Sequence, residues 1–293
     1  MNEIDKALII QFSDNVHVVA QQMKSRLRPH VKVKPMSGDV FAYDGLGAIE
    51  ANEVTGRVQK RVFTDIEHLR RKIARRRFEV TLPIDDMDVR GVLLNPESEY
   101  AAAIVRAMAR RFDRVGIEAA FADVKTGRDF ETTVTFANDG GSTVTATSGL
   151  TYAKLLEINQ NFHNNEVNNE MDEEQLFLIS GDEEAALFQE SELISGDFSR
   201  QFAVEKGKMI YAVGNRLVIY GASVTNPILS VASGVRSNIA MVGRGLCYGL
   251  SKEFDIKIEP RPDYVDLKQV VCSGVLGAVR TEGKLIQKVT TTD

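Results

Sequence analysis

The chain has 293 residues, 43% apolar and 26% charged, with net charge -5 and no tryptophan. That composition suits one large or two modest domains with buried cores and excludes a disordered chain. Apolar runs of a few residues fall far short of the roughly 20 that a membrane helix needs, and Glu3 and Asp5 stand where a secretory signal carries positive charge.

Asn15 to Leu27 sets Val16, Val19, Ala20, Met23 and Leu27 at helical spacing, with Lys24, Arg26 and Arg28 near the end where they suit the helix dipole. Pro29 and Pro35 stop this helix, and a tail punctuated by Gly38, Gly45 and Gly47 follows. Residues 1–50 therefore read as an arm with little core of its own. Strand-like runs come next at 54–63 and 77–84, the second alternating Phe78, Val80, Leu82 and Ile84 with Arg77, Glu79, Thr81 and Pro83. The stretch DIEHLRRKIARR lies between them, so residues 51–92 predict an extended hairpin with a charged tip. A lone two-stranded hairpin is marginal in water and must borrow stability from a neighbour.

The clearest element is a helix over about 95–124. Asn95 suits the N-cap, Pro96 the first helical position, and Glu97 and Glu99 the first turn. Tyr100, Ile104, Ala107, Met108, Phe112, Val115 and Ala119 form its apolar stripe, and Arg106, Arg110 and Arg114 recur on another face. At 1.5 Å per residue it reaches roughly 40 to 45 Å, the length of a structural spine.

Thr132 to Phe136 and the run TVTAT, joined by Asn138-Asp139-Gly140-Gly141, predict a second hairpin. A small α/β unit follows: a helix from the Thr151 cap to about Asn165, a strand over Gln175 to Ile179, a short helix over Glu183 to Gln189, and a strand pair turning at Gly214-Asn215. From Asn238 the chain is strand-rich, broken by glycine, Pro260 and Pro262. No repeat of 20 to 50 residues appears.

Charge is uneven. Residues 1–128 hold 22 Lys+Arg against 18 Asp+Glu, and the remainder 14 against 23. The densest basic stretch holds Arg57, Lys60, Arg61, Arg70, Arg71, Lys72, Arg75, Arg76 and Arg77; the densest acidic one, Glu166 to Glu192, holds ten acids, Glu173 and Glu174 among them, and no lysine or arginine. Complementary patches on one chain suit contact between copies, with solvated faces that never meet as the plain alternative.

No catalytic constellation emerges. His17, His30, His68 and His163 sit in four separate segments without metal-ligand spacing, and Cys247 and Cys272 show no C-x-x-C or Cys/His pairing, which points to a reducing compartment. The sequence lacks a G-x-S-x-G elbow and a G-x-x-x-x-G-K-[ST] phosphate loop. Gly243 to Gly249 misplaces the third glycine of a dinucleotide loop, and Asp85, Asp86 and Asp88 lack the glycine and distal glutamate of a calcium loop, so both read as turns. The polar run Asn161 to Glu174 reads as a helix end and exposed loop. A basic nucleic-acid binder is a rival, but aromatic interleaving is sparse and the acidic pI argues against it. No cofactor is expected.

The segments VVAQQMKSRLRPHV, RVFTDIEHLRRKI, NPESEYAAAIVRAMARRFDRVGIEAAF and YVDLKQVVCSGVLGAVRTEGKLIQKV, in this order, resemble the short major capsid proteins of tailed bacteriophages. The resemblance implies an α+β fold of the Hong-Kong-97 type. It maps residues 1–50 to an N-terminal arm, 51–92 to an extended loop over a neighbouring subunit, 93–150 and 238–293 to a peripheral domain holding the spine helix, and 151–237 to an axial domain. It implies a structural virion protein, not an enzyme, assembled in the host cytoplasm into hexamers, pentamers and an icosahedral head around double-stranded DNA held without sequence preference. The basic residues named above, with Glu173 and Glu174, become candidate inter-subunit contacts, and Tyr100, Ile104, Met108, Phe112 and Val115 the core of the spine. The chain starts close to the arm, so a scaffold, where used, is expected to be a separate protein, with portal and decoration proteins as further partners and no membrane. No lysine and asparagine pair for inter-subunit crosslinking can be matched. A nanocompartment shell enclosing enzyme cargo shares the fold and stands as the alternative.

Overall fold

The computed structural model describes residues 22–47, 49–53, 60–61, 63–85, 96–147, 149–167, 174–190, 193, 204–205, 208–222, 227–261, 263 and 267–292. In chain order the strands are β1 (Lys32–Pro35), β2 (Val40–Leu46), β3 (His68–Ala74), β4 (Arg76–Asp85), β5 (Val124–Thr126), β6 (Thr132–Val134), β7 (Ser142–Ala146), β8 (Gln175–Ser180), β9 (Val204–Glu205), β10 (Lys208–Met209), β11 (Tyr211–Ala212), β12 (Asn215–Tyr220), β13 (Val231–Ala232), β14 (Val235–Val242), β15 (Leu246–Arg261), β16 (Leu267–Arg280) and β17 (Ile286–Thr292). The helices are α1 (Pro96–Phe121), α2 (Tyr152–Asn164) and α3 (Gly181–Leu187).

The apolar stripe of α1 dictates its place. Ile104, Met108, Phe112 and Val115 are all buried. Ile104 and Met108 meet Ile84, Val270 and Cys272 on the long sheet β1-β15-β16-β4. Further along, Phe112, Val115, Ile117 and Ala120 are wedged between that sheet and Leu176, Leu178, Ile239 and Met241 of a second sheet, ordered β11-β12-β8-β14-β17-β7 with β13 on β14. The other face of the second sheet is closed by Leu155, Ile158 and Phe162 of α2. Strand β8 is thus covered on both sides, which is why QLFLIS is buried throughout and shows no alternation. The side chain of Tyr100 and the expected cap Asn95 fall outside the described residues.

Four expectations are corrected by the pairing. First, the run 77–84, expected in a hairpin with 54–63, has its described partner in β16. The basic stretch between them is itself strand β3, which pairs antiparallel with β2 from Val40↔Ala74 to Leu46↔His68, while β4 pairs with β16. Alternation explains this: Arg71 and Ile73 are buried while Arg70 is exposed, a half-buried strand hidden under a basic composition. Residues 54–59 and 62 lie outside the description.

Second, Thr132–Val134 and Ser142–Ala146 do not pair with each other. β6 joins β5, and β7 runs parallel to β17. In the glycine turn between them, Asp139 has its carboxylate bonded to arginines of two other strands, β3 and β16. Third, Gln22–Leu27 is not helical; Arg28–His30 forms one 3-10 turn, and the rest of the expected arm helix lies outside the described residues. Fourth, β7 and β17, which the resemblance maps to the peripheral segments 93–150 and 238–293, and β14, which straddles residue 238, share their sheet with β8 and β12 of the 151–237 segment. The two segments LCYGL and FDIKIEP are one strand, β15, irregular only between Leu250 and Asp255.

Candidate assembly interface

The basic run divides by strand parity. Arg70 is exposed and forks onto Asp44 of β2, Nε to Oδ1 at 2.6 Å and Nη2 to Oδ2 at 3.2 Å. Its guanidinium holds the Asp44 carboxyl below the usual range. Lys72 lies with its Nζ 6.0 Å from the Phe130 ring centre. Arg75 pairs with Asp39, Arg76 with Glu118 at 3.0 Å, and Arg77 with Glu79 at 2.7 Å, all exposed or half-exposed. Lys60 and Arg61 are exposed and make no ion pair among the described residues, and Arg57 and Glu173 lie outside them. Glu174 accepts from Arg216 Nη1 and the Tyr211 hydroxyl, each at 2.8 Å, and these bonds, the arginine's foremost, lower its pKa. Exposed pairs of this kind are worth about 0 to 1 kcal/mol, so each partner can be exchanged at modest cost.

Arg71 does not belong with them. It is 3% exposed, and its Nη1 and Nη2 bind Asp139 at 2.8 and 2.6 Å, within the same chain. Alternation along β3 turns it inward, and Arg280 shares the same carboxylate. Neither Asp139 nor Arg280 was singled out by sequence reasoning. Arg280 had a signal: it falls in period-two phase with the buried Val270, Cys272 and Leu276 of β16. Asp139 had none beyond its turn composition.

A second carboxylate, Asp113 on α1, was also missed. It is fully buried and accepts from Gln22 Nε2 at 2.6 Å, Ser25 Oγ, the amides of Arg26 and Leu27 at 3.0 and 3.3 Å, and the Tyr220 hydroxyl at 3.3 Å. Residues 22–27 are therefore bolted to the helix by one side chain. Asp113 sits four residues before the buried Ile117 and seven before Ala120, a helical phase in which a charge needs partners. Burial, with the nearby Asp113 charge, pushes the Tyr220 phenol well up.

Glu183 plays a similar part in the second sheet. It closes a capping box with Ser180 and accepts from Asn238 Nδ2 at 3.1 Å and Thr291 Oγ1 at 2.6 Å, joining α3 to β14 and β17. Among the described residues no group of three His, Cys, Asp or Glu could hold a metal ion. Cys247 and Cys272 are buried, and burial pushes both thiols up, away from the reactive thiolate. No helix among the described residues is long and apolar enough to cross a membrane. The arrangement of the described residues holds surfaces and strands in place.

The sequence profile of the phage capsid protein family matches residues 4–292. The chain belongs to the phage capsid protein family. Solved capsid structures share its fold at low identity. The head of Helicobacter pylori bacteriophage KHP40 aligns at TM-score 0.73 and 10% identity over 96% of this chain and 95% of that one. The acid-stable capsid of bacteriophage KHP30 gives 0.72 and 10%, over 97% and 95%. The capsid of cyanophage P-SCSP1u gives 0.71 and 13%, over 97% and 94%. No curated protein matches the chain. The capsid protein thus has the mixed α+β architecture of the Hong-Kong-97 type, and it is a structural component of the virion and the phage head, not an enzyme.

Proposed function

We propose that this capsid protein closes into hexamers and pentamers that build an icosahedral shell around double-stranded DNA. The observation that best supports this reading is the β2–β3 pair and its 47–67 connection, where Leu46, Ile49 and Phe63 are 67%, 55% and 95% exposed. Large apolar side chains left this exposed ask for burial against another molecule. In this reading the extended loop has its base at Val40–Leu46 and His68–Ala74, α1 is the spine, α1 with the long sheet is the peripheral region, and the second sheet with α2 is the axial region. Lys60, Arg61 and Lys72 then pair with acids of the next subunit, Glu174 included, and Arg70, Arg75, Arg76 and Arg77 trade their exposed partners for such acids. Opposite charge steers that encounter and fixes its register. Each contact need be only modest, because every subunit joins several others. Basic residues on the inner surface hold DNA through its phosphates alone, and separate scaffold, portal or decoration proteins complete the head.

The test is light scattering coupled to size exclusion on the tag-free chain, followed by negative-stain imaging and nuclease protection of any particles. Hexamers or uniform shells support the reading, and protected double-stranded DNA supports its content. Shells carrying protein cargo and no DNA would replace it with the nanocompartment alternative. A 32.5 kDa monomer at every salt and concentration, also when co-expressed with the neighbouring phage genes, would overturn it.

A further inference from the structure

One chain carries a knob and a hole that it does not itself join. The knob is Phe63, 95% exposed. The two sides of its loop are fastened together: Gly47 N donates to Glu67 O at 2.8 Å, and Asn52 Nδ2 to Thr64 Oγ1 at 3.1 Å. Phe63 therefore projects next to a pinned residue. The hole is a cavity of about 430 Å³ where the C-terminal end of α1 meets β3, β5 and β16, walled by Val115, Ala119, Ala122, Val124, Ala278 and Val279. Of these walls Val115, Val124 and Val279 are buried core residues, and the alanines carry no side chain beyond Cβ.

Charge is sorted in the same way on both. The helix side of the rim carries Glu118 and Asp123, and the strand side carries Lys72, Arg76 and Lys125. Asp123 and Lys125 make no ion pair among the described residues, and Glu118 is shared between Arg76 and Arg111. Around the knob, Lys60 and Arg61 precede Phe63, and Asp65 and Glu67 follow it.

We propose that Phe63 of one copy inserts into this cavity of a second copy, with Lys60 and Arg61 against Glu118 and Asp123, and Asp65 and Glu67 against Lys72, Arg76 and Lys125. The inference rests on the shell reading and deepens it by naming the apolar anchor and its receiving site. A phenylalanine buries about 150 to 250 Å² when it fills such a site. One insertion direction satisfies both sets of charges, which sets register more than affinity. Knob and hole occupy different places on the chain, so the contact can repeat head to tail and close into the rings that the shell reading requires.

The experiment uses two full-length chains, one Phe63→Cys and one Ala119→Cys of different tag length, co-assembled and then oxidised. Cys247 and Cys272 are fully buried and do not compete. The expected result is a disulfide-linked pair of one long and one short chain in the assembled fraction only, with Ala122→Cys as a second receiving position. In parallel, Phe63→Asp is expected to lower the yield of assemblies at least tenfold, while Phe63→Tyr retains it. Normal assembly of the cysteine chains without a mixed crosslink at either position overturns the inference and leaves the shell reading standing. Failure of the unaltered chain to assemble at all, with or without its phage partners, overturns the shell reading and this inference with it.

Discussion

Arg280 donates through Nε to Asp139 Oδ2 at 2.7 Å, and through Nη1 to the carbonyls of Ala120 and Ala122 at 2.8 and 3.0 Å. One side chain of β16 therefore satisfies a carbonyl in the last turn of α1 and one just past its end, a task often left to a glycine cap, and holds the carboxylate that Arg71 of β3 also binds. Helix end, long sheet and loop base are fixed at a single buried point. Burial alone would raise the Asp139 pKa; the hydrogen bonds from Arg71 and Arg280 outweigh it and hold the carboxyl below its ordinary value.

Removing that carboxylate leaves two guanidiniums buried without a counter-charge. Asp139→Ala is expected to cost about 3 to 5 kcal/mol in urea unfolding. Arg71→Glu, which puts an acid against Asp139, is expected to unfold the chain outright. Arg70→Glu with Lys72→Glu touches only exposed or half-exposed partners and is expected to change stability by no more than about 1 kcal/mol, with its effect falling on assembly. Equal losses for Arg70 and Arg71 variants would contradict the division of the basic run by strand parity.

The legibility of the chain follows from where its signals are local. The long helix, the helix after Thr151, strand β8 and the turn at Gly214 could be read directly, because periodicity, caps and glycine all act within a few residues. The partners of strands could not. β3 was hidden because arginine is read as surface, yet Arg71 is paid for by a carboxylate 68 positions away in sequence. β6 and β7 flank a good hairpin turn and still pair elsewhere, since the choice depends on β5 and β17, whose positions no local pattern encodes. The family resemblance was carried by the order of whole segments. It conveyed the fold, but not the residues that hold it.

Gly116 on α1 tests how tightly the helix meets the long sheet. At an exposed helix interior, alanine would gain roughly 1 kcal/mol over glycine. Here a Cβ would lie 1.8 Å from Tyr248 Oη and 2.9 Å from Leu27 Cδ2. Tyr248 cannot swing away, because it is fully buried, stacked on Phe112 with ring centres 4.2 Å apart, and its hydroxyl donates to Phe112 O at 3.2 Å. Gly116→Ala is expected to lose about 1 to 3 kcal/mol through overpacking. A rise in melting temperature would show that this interface has slack.

Asp113 is expected to control access to the segment before Arg28. Its carboxylate is the common acceptor for Gln22, Ser25 and the amides of Arg26 and Leu27. Asp113→Asn keeps the shape, yet trades one acceptor oxygen for a donor that faces other donors, and a buried group left unsatisfied costs about 1 to 3 kcal/mol. Trypsin should then cut after Lys24 and Arg26 several-fold faster than in the unaltered chain, while cleavage at the exposed Lys60 and Arg61 keeps its rate. Uniform acceleration at all four sites would signal global destabilisation in place of local release.

Two carboxylates held by hydrogen bonds, Asp139 and Glu183, contribute to the response to acid. For Asp139 burial raises the pKa and the arginine hydrogen bonds reverse it; for Glu183 burial raises it and the bonds from Ser180, Thr291 and Asn238 reverse it, so both folded values lie below the ordinary ones. The unfolded chain, with values of about 3.9 for aspartate and 4.3 for glutamate, then binds more protons than the folded chain as the pH falls. Stability must rise with pH across that window. It is fully present above the unfolded values and is lost as the pH drops through the folded ones. Urea midpoints are therefore expected to hold from pH 7 to about 5 and to decline below about 4. Asp139→Asn combined with Glu183→Gln should start lower at pH 7 and decline less steeply below pH 5, since neither site can take up a proton. An unchanged slope in that double variant would place the acid sensitivity on other carboxylates and remove these two from the account.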